Sequence, residues 1–238
     1  MIIRQLANGE ESLSLVKHIE EHSFRLGNDP PETEQTIAYL MQEGAVFAGY
    51  EDEIPVGIIE LISLRKAIQM PFDRDSALSI SVHNGVYSVA HRFGNFSDII
   101  IHHGIGIHKD HQSRGNGKEL LQAVAASDYL KGKTAVCMID AANGRDDSFN
   151  APSFALHLNY GGFIIADMLC PPVFDNELYC AAVVRADVRR EGEVVLVSQH
   201  APDLVSRIKQ LTDDNFAGFR YDRNSEQLYF QRLMQPAP

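Results

Sequence analysis

Apolar residues along the chain recur at spacings that separate helices from strands. Leu13, Val16 and Ile19 are spaced as on one face of a helix and predict a helix over residues 12–26, and a second helix is predicted over residues 32–43. Alternating or continuous apolar runs before and after this pair predict strands. The predicted strands of the first half are residues 2–6, 45–50, 55–64 and 99–107.

The second half continues as alternating strands and helices. Strands are predicted over residues 134–139, 163–167, 178–186 and 194–197, a helix over residues 201–211, and a final hairpin over residues 219–233. Between the third and fourth strands, residues 79–89 alternate around Asn84-Gly85, a dipeptide that favours tight turns. The segment from about 64 to 97 is therefore predicted to contain an inserted hairpin.

The strand over residues 99–107 leads into a glycine-containing turn and then into a helix that begins near Lys118. The first N–H groups of a helix have no partner within it, so they can bind a pyrophosphate. Gly115 and Gly117 lack a Cβ, which lets phosphates approach the main chain, and Arg114 and Lys118 add positive charge. We interpret this stretch as a phosphate cradle, although the same glycines are equally compatible with an ordinary turn.

Two common phosphate-binding motifs do not fit this turn. A P-loop requires Ser or Thr after its Gly-Lys, whereas Lys118 is followed by Glu119. A dinucleotide-binding turn requires a third glycine, which is absent.

Two motifs, in this order, resemble the GNAT superfamily of acyl-CoA-dependent N-acyltransferases. The first is Gln112-x-x-Gly115-x-Gly117 after a strand, and the second is residues 150–163, Asn-Ala-Pro-Ser-Phe-Ala-Leu-His-Leu-Asn-Tyr-Gly-Gly-Phe. The resemblance implies an α/β fold whose mixed, mostly antiparallel central sheet is flanked by helices, over residues 1–186. Residues 187–238 then form a small α+β extension of unknown role.

The resemblance also implies which residues bind coenzyme A. In this family the fourth strand is bulged and parts from the fifth, so the pantetheine arm bonds to its main chain, and the pyrophosphate lies on the amides of the turn. Transferred to this chain, the coenzyme A contacts are Ile105, Gly106, Ile107, Gln112, Ser113, Arg114, Gly115, Asn116, Gly117, Lys118, Asn150 and Ser153. The oxyanion would be held by the strand amides.

Three side chains are candidates for proton transfer. His103 is the first choice as base, because it occupies a position where some GNAT enzymes carry a strand histidine; His102 replaces it if a bulge shifts the strand. Glu60 is the second candidate base. His157 stands where the family's thiolate-protonating tyrosine is expected, with Tyr160 as the fallback. Each of these side chains can equally be explained as structural.

The predicted activity is direct transfer of an acetyl group from acetyl-CoA to a primary amine, on a small molecule or a peptide. A succinyl-CoA-dependent enzyme acting on arginine or a similar amino acid is an alternative, suggested by Pro71-Phe72 and Val82-His83, and a non-catalytic acyl-CoA-binding module is another.

Composition limits which binding partners and which cellular compartment are expected for this chain. A formal net charge of −11 disfavours nucleic-acid binding. No apolar run is long enough to span a bilayer and no signal sequence is recognised, so a cytoplasmic location without membrane contact is expected. Cys137, Cys170 and Cys180 indicate neither a disulfide framework nor a zinc motif, so no metal is expected. A homodimer is left open.

Overall fold

The computed structural model of this chain describes residues 1–23, 33–70, 85–141, 149–169 and 180–234. The strands are β1 (Ile2–Gln5), β2 (Ala45–Glu51), β3 (Ile54–Ser63), β4 (Ile99–Ile107), β5 (Thr134–Asp140), β6 (Ile164–Leu169), β7 (Cys180–Arg185), β8 (Arg190–Ser198), β9 (Phe216–Asp222) and β10 (Gln227–Leu233). The helices are α1 (Glu10–His22), α2 (Glu34–Glu43), α3 (Leu64–Ala67), α4 (residues 85–91), α5 (Asn116–Ala125), α6 (Ala151–Phe154) and α7 (Leu204–Asp213).

The strands form one sheet of ten, in the order β1-β2-β3-β4-β5-β7-β6-β9-β10-β8. Each neighbouring pair is antiparallel except β4 and β5, which are parallel. A parallel pair needs a crossover connection, and here α5 supplies it. The predicted fold class, a mixed and mostly antiparallel sheet with flanking helices, is confirmed.

Helices cover both faces of the sheet, and adjacent residues of β3 show how the faces divide. Ile58 is buried among the apolar residues of α1 and α2, whereas Ile59 is buried with the stripe of α5. That stripe consists of Leu120, Leu121 and Val124, as the helical spacing predicted. A strand covered on both sides has no polar face, which explains its nearly continuous apolar sequence.

Among the described residues, the structure contradicts the second half of the predicted inserted hairpin. Residues 85–91 are helical, and residues 71–84, which include Pro71-Phe72 and Val82-His83, lie outside the described residues. Val86, Val89 and Ala90 are buried against β4 and α3. Their spacing of three and four residues matches a helix that buries this face against the sheet.

The C-terminal extension continues the sheet. β9 meets β6 at the Ile165–Gly218 pair, and β9 and β10 form the predicted hairpin. Ile208 of α7 and Phe230 of β10 are fully buried in the same cluster as α5. The extension therefore packs on the sheet through a shared core. None of the described helices is both long enough and apolar enough to cross a bilayer.

Candidate functional site

β4 and β5 part from each other in the middle of the sheet. Their pairing runs from Ile99–Thr134 to Ile101–Val136, although β4 continues to Ile107 and β5 to Asp140. Beyond Ile101 the main chain of β4 therefore no longer pairs with β5. This is the parted strand that the sequence resemblance implied.

A β-bulge lies at the start of this parted stretch. Glu60 pairs with Gly104 but Leu61 pairs with His102, so His103 is the extra residue on β4. The bulge reverses which face each later residue occupies: Ile105 and Ile107 pack against the same cluster as Ile100. Without the bulge they would lie on the opposite face.

Main-chain directions along β4 follow from its pairing with β3. His108 donates its N–H to Val56 O at 2.9 Å, and such bonds alternate along an antiparallel pair. The N–H and C=O groups of Gly106 therefore point to β3, and those of Ile105 and Ile107 point into the gap left by β5. Ile105 and Ile107 thus direct their main-chain groups away from β3, whereas the main-chain groups of Gly106 are used by β3.

The two glycines of β4 have structural explanations. A Cβ on Gly104 would lie 2.8 Å from Glu60 Oε2, and a Cβ on Gly106 would lie 3.1 Å from Ser23 at the end of α1. These glycines thus make room for a carboxylate and for a helix, which the sequence alone did not indicate.

The predicted cradle is an open helix start. Gly115 is the N-cap of α5 with φ of 91°, no side chain caps the helix, and Ser113 has φ of 61°. The first hydrogen bond within α5 runs from Glu119 N to Gly115 O at 3.0 Å. The N–H groups of residues 116–118 precede this bond and therefore have no acceptor within the helix. Where residues with a left-handed backbone conformation precede a helix, such donors converge on a concave site that suits an anion.

Two side chains hold this turn in place. Gln112 Nε2 donates to Ile107 O at 2.9 Å, and Asn116 Nδ2 donates to His111 O at 3.2 Å. Asn116 is buried, whereas Ser113 and Arg114 are exposed. Gln112 and Asn116, which were predicted to contact coenzyme A, therefore shape the cradle through their side chains, and Ser113 and Arg114 face solvent.

The charges around the cradle are mixed. Lys118 Nζ lies 4.7 Å from the centre of the Tyr160 ring, a cation–π contact. On the other side, His111 Nδ1 lies 3.0 Å from Glu51 Oε2, and this hydrogen bond lowers the pKa of the Glu51 carboxyl. The positive groups beside the cradle are therefore Arg114 and Lys118, and Glu51 is its acidic neighbour.

The second motif contains a π-helical turn, Ala155–Tyr160, directly after α6. Gly161 donates to Leu156 O at 3.2 Å, five residues back, as well as to His157 O. The Gly-Phe pair of this motif comes one residue later than in the family that the motif resembles, and a π turn accommodates one additional residue. His157 still faces inward, where its ring contacts Phe163.

Asn150 connects this helix to β5. Its Nδ2 donates to Asp140 O at 3.2 Å, and its Oδ1 accepts from Ser153 N at 3.4 Å. Both residues were predicted to contact coenzyme A. In the structure they form the N-cap of α6, and Asn150 is buried.

We expect Asn150→Ala to lower the free energy of unfolding by about 1–2 kcal/mol, because it removes an N-cap and leaves Asp140 O without this donor. Urea denaturation followed by circular dichroism measures the change. Asn95→Ala is the control, since Asn95 precedes a short helix without a side-chain cap and should change stability by less than about 0.5 kcal/mol.

The two candidate bases lie next to each other at the bulge. Glu60 is 1% exposed on β3, with its carboxylate beside Gly104, and His103 is half-buried on β4. Both are thus located where β4 begins to leave β5. The pairing of β3 with β4 therefore places the two residues that the sequence named separately beside the same bulge.

His102 and His157 are buried on the other side of the sheet, 3% exposed each, with ring centres 5.4 Å apart. Burial lowers the pKa of His102 to about 3 and that of His157 to about 4. His157 Nδ1 lies 2.9 Å from Ser153 O, so its Nδ1 carries the proton and its Nε2 a lone pair. At neutral pH the His157 ring is therefore uncharged, and its lowered pKa also makes it a weak base. Tyr160, the fallback donor, is 40% exposed.

A cavity of about 620 Å³ lies at the opposite end of α5 from the cradle, lined by residues that include Leu130, Lys133 and Arg185. None of the predicted site residues lines it. We assign it no part in the site.

Comparisons with known proteins gave matches only among solved structures; no family model and no curated protein matched. The chain is similar to an N-acetyltransferase from Staphylococcus aureus Mu50 (16% identity, TM-score 0.48, 77% of this chain and 96% of that one). It is also similar to the putative acetyltransferase yncA from Salmonella typhimurium, solved with its cofactor acetyl-CoA (18%, TM-score 0.47, 76% and 92%). A third similar structure is a ribosomal-protein-alanine N-acetyltransferase from Brucella melitensis (15%, TM-score 0.49, 78% and 99%). Since identities and TM-scores are this low, these similarities do not by themselves assign a function.

Proposed function

We propose that this chain is an acyl-CoA-dependent N-acyltransferase of the GNAT superfamily, which transfers an acetyl group from acetyl-CoA directly to a primary amine. One observation carries the proposal: the main-chain groups of Ile105 and Ile107 point into the gap between β4 and β5, and β4 leads directly into the open start of α5. An extended thioester with a pyrophosphate at its far end matches this arrangement.

Coenzyme A would bind in two parts. The amides of residues 113–118 hold the pyrophosphate, aided by the positive end of α5. The pantetheine arm lies along Ile105 and Ile107, bonded to the N–H and C=O groups of Ile105 and to the N–H of Ile107 as if it were a neighbouring strand, while Ile107 O accepts from Gln112. This places the thioester near the bulge at His103.

The residues at the bulge fit the chemistry of amide formation. An alkylamine has a pKa near 10.4, so it must lose a proton before or during attack. Glu60 and His103 accept that proton, directly or through water. The amine nitrogen bonds to the acyl carbon, the carbon–sulfur bond breaks, and the departing thiolate takes up a proton. Strand N–H groups stabilise the negative oxygen in between.

A panel of small amines, amino acids including arginine, and peptide N-termini tests the proposal. Each is incubated with acetyl-CoA or succinyl-CoA, free thiol is measured with time, and the acylated product is identified by mass spectrometry. Amine-dependent thiol release supports the enzyme. Faster reaction of arginine with succinyl-CoA would favour the succinyltransferase, and tight coenzyme binding without turnover of any amine would favour the non-catalytic module.

A further inference from the structure

Three potential metal ligands meet in the core at the point where β4 and β5 part. His102 is the residue after the last β4 residue paired with β5, and Cys137 holds the same position on β5. His157 approaches from the π-helical turn. One ligand atom from each lies within 4.8 Å of the other two.

The hydrogen bonds of the two imidazoles leave one nitrogen of each ring available. His157 Nδ1 is bonded to Ser153 O, and His102 has a hydrogen bond to the main chain of Gly104. Within the described part of the chain, His102 Nε2 and His157 Nε2 are buried and have no partner. Metal-binding histidines usually have this arrangement, one nitrogen on a carbonyl and the other on the ion.

We propose that His102, Cys137 and His157 bind a zinc ion through Nε2, Sγ and Nε2. Two nitrogens and a thiolate suit Zn²⁺, and three protein ligands leave one tetrahedral position open. Bond lengths of about 2.1 Å to nitrogen and 2.3 Å to sulfur place ligand atoms roughly 3.4–3.6 Å apart. Side-chain rotations that draw the three atoms together by about 1 Å complete the site.

The protonation states of the two imidazole ligands favour binding, whereas the Cys137 thiol must lose its proton. Burial keeps both imidazoles neutral at pH 7, with pKa values of about 3 and about 4, so no proton competes with the metal at nitrogen. Burial raises the pKa of the Cys137 thiol to about 12 in the absence of metal. Zinc binding therefore releases this single proton, and the ion then links β4, β5 and the π-helical turn.

A second group of histidines, His18, His22 and His108, also meets the distance condition for a metal site. Its members are more exposed, their rings stack on one another, and His22 Nδ1 is bonded to His18 O. Because solvent can form hydrogen bonds with the ring nitrogens of this group, it lacks the buried lone pairs that support the first site. It serves as the internal control.

The test measures metal on the full chain, independently of any acyl transfer. Protein purified from zinc-containing medium is passed through a chelating resin, and its zinc content is measured by mass spectrometry. We expect about one zinc per chain, and X-ray absorption at the zinc edge should show one sulfur and two imidazole nitrogens. Protein that contains no zinc would overturn the proposal, and so would zinc that has only nitrogen and oxygen neighbours. Both results come from the wild-type chain, so they do not depend on whether any variant folds.

Variants locate the ion. Cys137→Ser should weaken zinc binding by at least ~100-fold, since loss of supporting residues alone costs 10–100-fold. Cys180→Ser, the same change at another buried cysteine of the sheet, should retain zinc, and so should His18→Ala. Melting curves of the metal-free proteins confirm that each variant is folded. Zinc that persists in Cys137→Ser and is lost in His18→Ala would assign the ion to the exposed histidines and contradict the proposal.

Discussion

Glu60→Gln is expected to lower kcat by roughly 10²–10⁴-fold, the range of a positioned general base, while the Kd for coenzyme A stays within about threefold. The glutamine keeps the size and the oxygen of the side chain beside Gly104 but cannot accept a proton from an ammonium. His103→Ala should also lower kcat strongly with little change in coenzyme binding. Steady-state kinetics with the best amine of the panel, and calorimetric titration of coenzyme A, measure the two quantities.

The double variant and a surface control separate catalysis from structure. If Glu60 and His103 share one proton path, Glu60→Gln/His103→Ala should be little slower than the slower single variant. Glu53→Gln, on the exposed turn of the same hairpin where Glu53 pairs with Arg4, should leave kcat unchanged. Wild-type turnover in both single variants would remove both residues from the mechanism.

The sequence predicted those parts of the fold that depend on local patterns. The apolar stripe of α5 and the alternation of β9 and β10 each follow from burial of one face, so their spacing was sufficient. The cradle was also predictable, because a strand, Gly115 and a following helix determine it locally.

Features that depend on a partner strand were not predictable from the sequence. The extra residue at His103 is defined by the pairing of Glu60 and Leu61 with β4, and a strand's sequence does not encode its neighbour's register. The sequence did not indicate that Glu60 and Ser23 occupy the space beside Gly104 and Gly106. The bulge also decides which N–H groups of β4 point to β3, and those of Gly106 do.

Two further features were hidden by distance or by competing signals. His102, Cys137 and His157 are far apart in sequence and meet only through the crossing of β4, β5 and the π-helical turn, so no metal-ligand spacing appears in the sequence. At residues 85–91, the Asn-Gly turn signal competed with a helical spacing of apolar residues, and burial against the sheet favoured the helix.

Gly117→Val is expected to raise the Kd for coenzyme A by roughly 10–100-fold, because losing one or two charge-assisted hydrogen bonds to the pyrophosphate costs about that much. Gly117 is the better position for this test. Gly115 has φ of 91°, so any side chain there strains the backbone. A Cβ on Gly117 meets only Ile107 and Leu156, at 3.6 Å or more, and the helix tolerates it.

Three comparisons make the result specific. Gly117→Ala should match or exceed the wild-type melting temperature, because alanine favours a helix over glycine by up to about 1 kcal/mol, and its coenzyme affinity should fall between the other two. Gly9→Val, before α1, has no atom within 4 Å of its Cβ and should bind coenzyme A normally. Pantetheine, which lacks the pyrophosphate, should bind wild type and Gly117→Val equally. If coenzyme A binds Gly117→Val as tightly as wild type, the start of α5 does not hold the pyrophosphate, and the assignment of this chain to acyl-CoA chemistry fails.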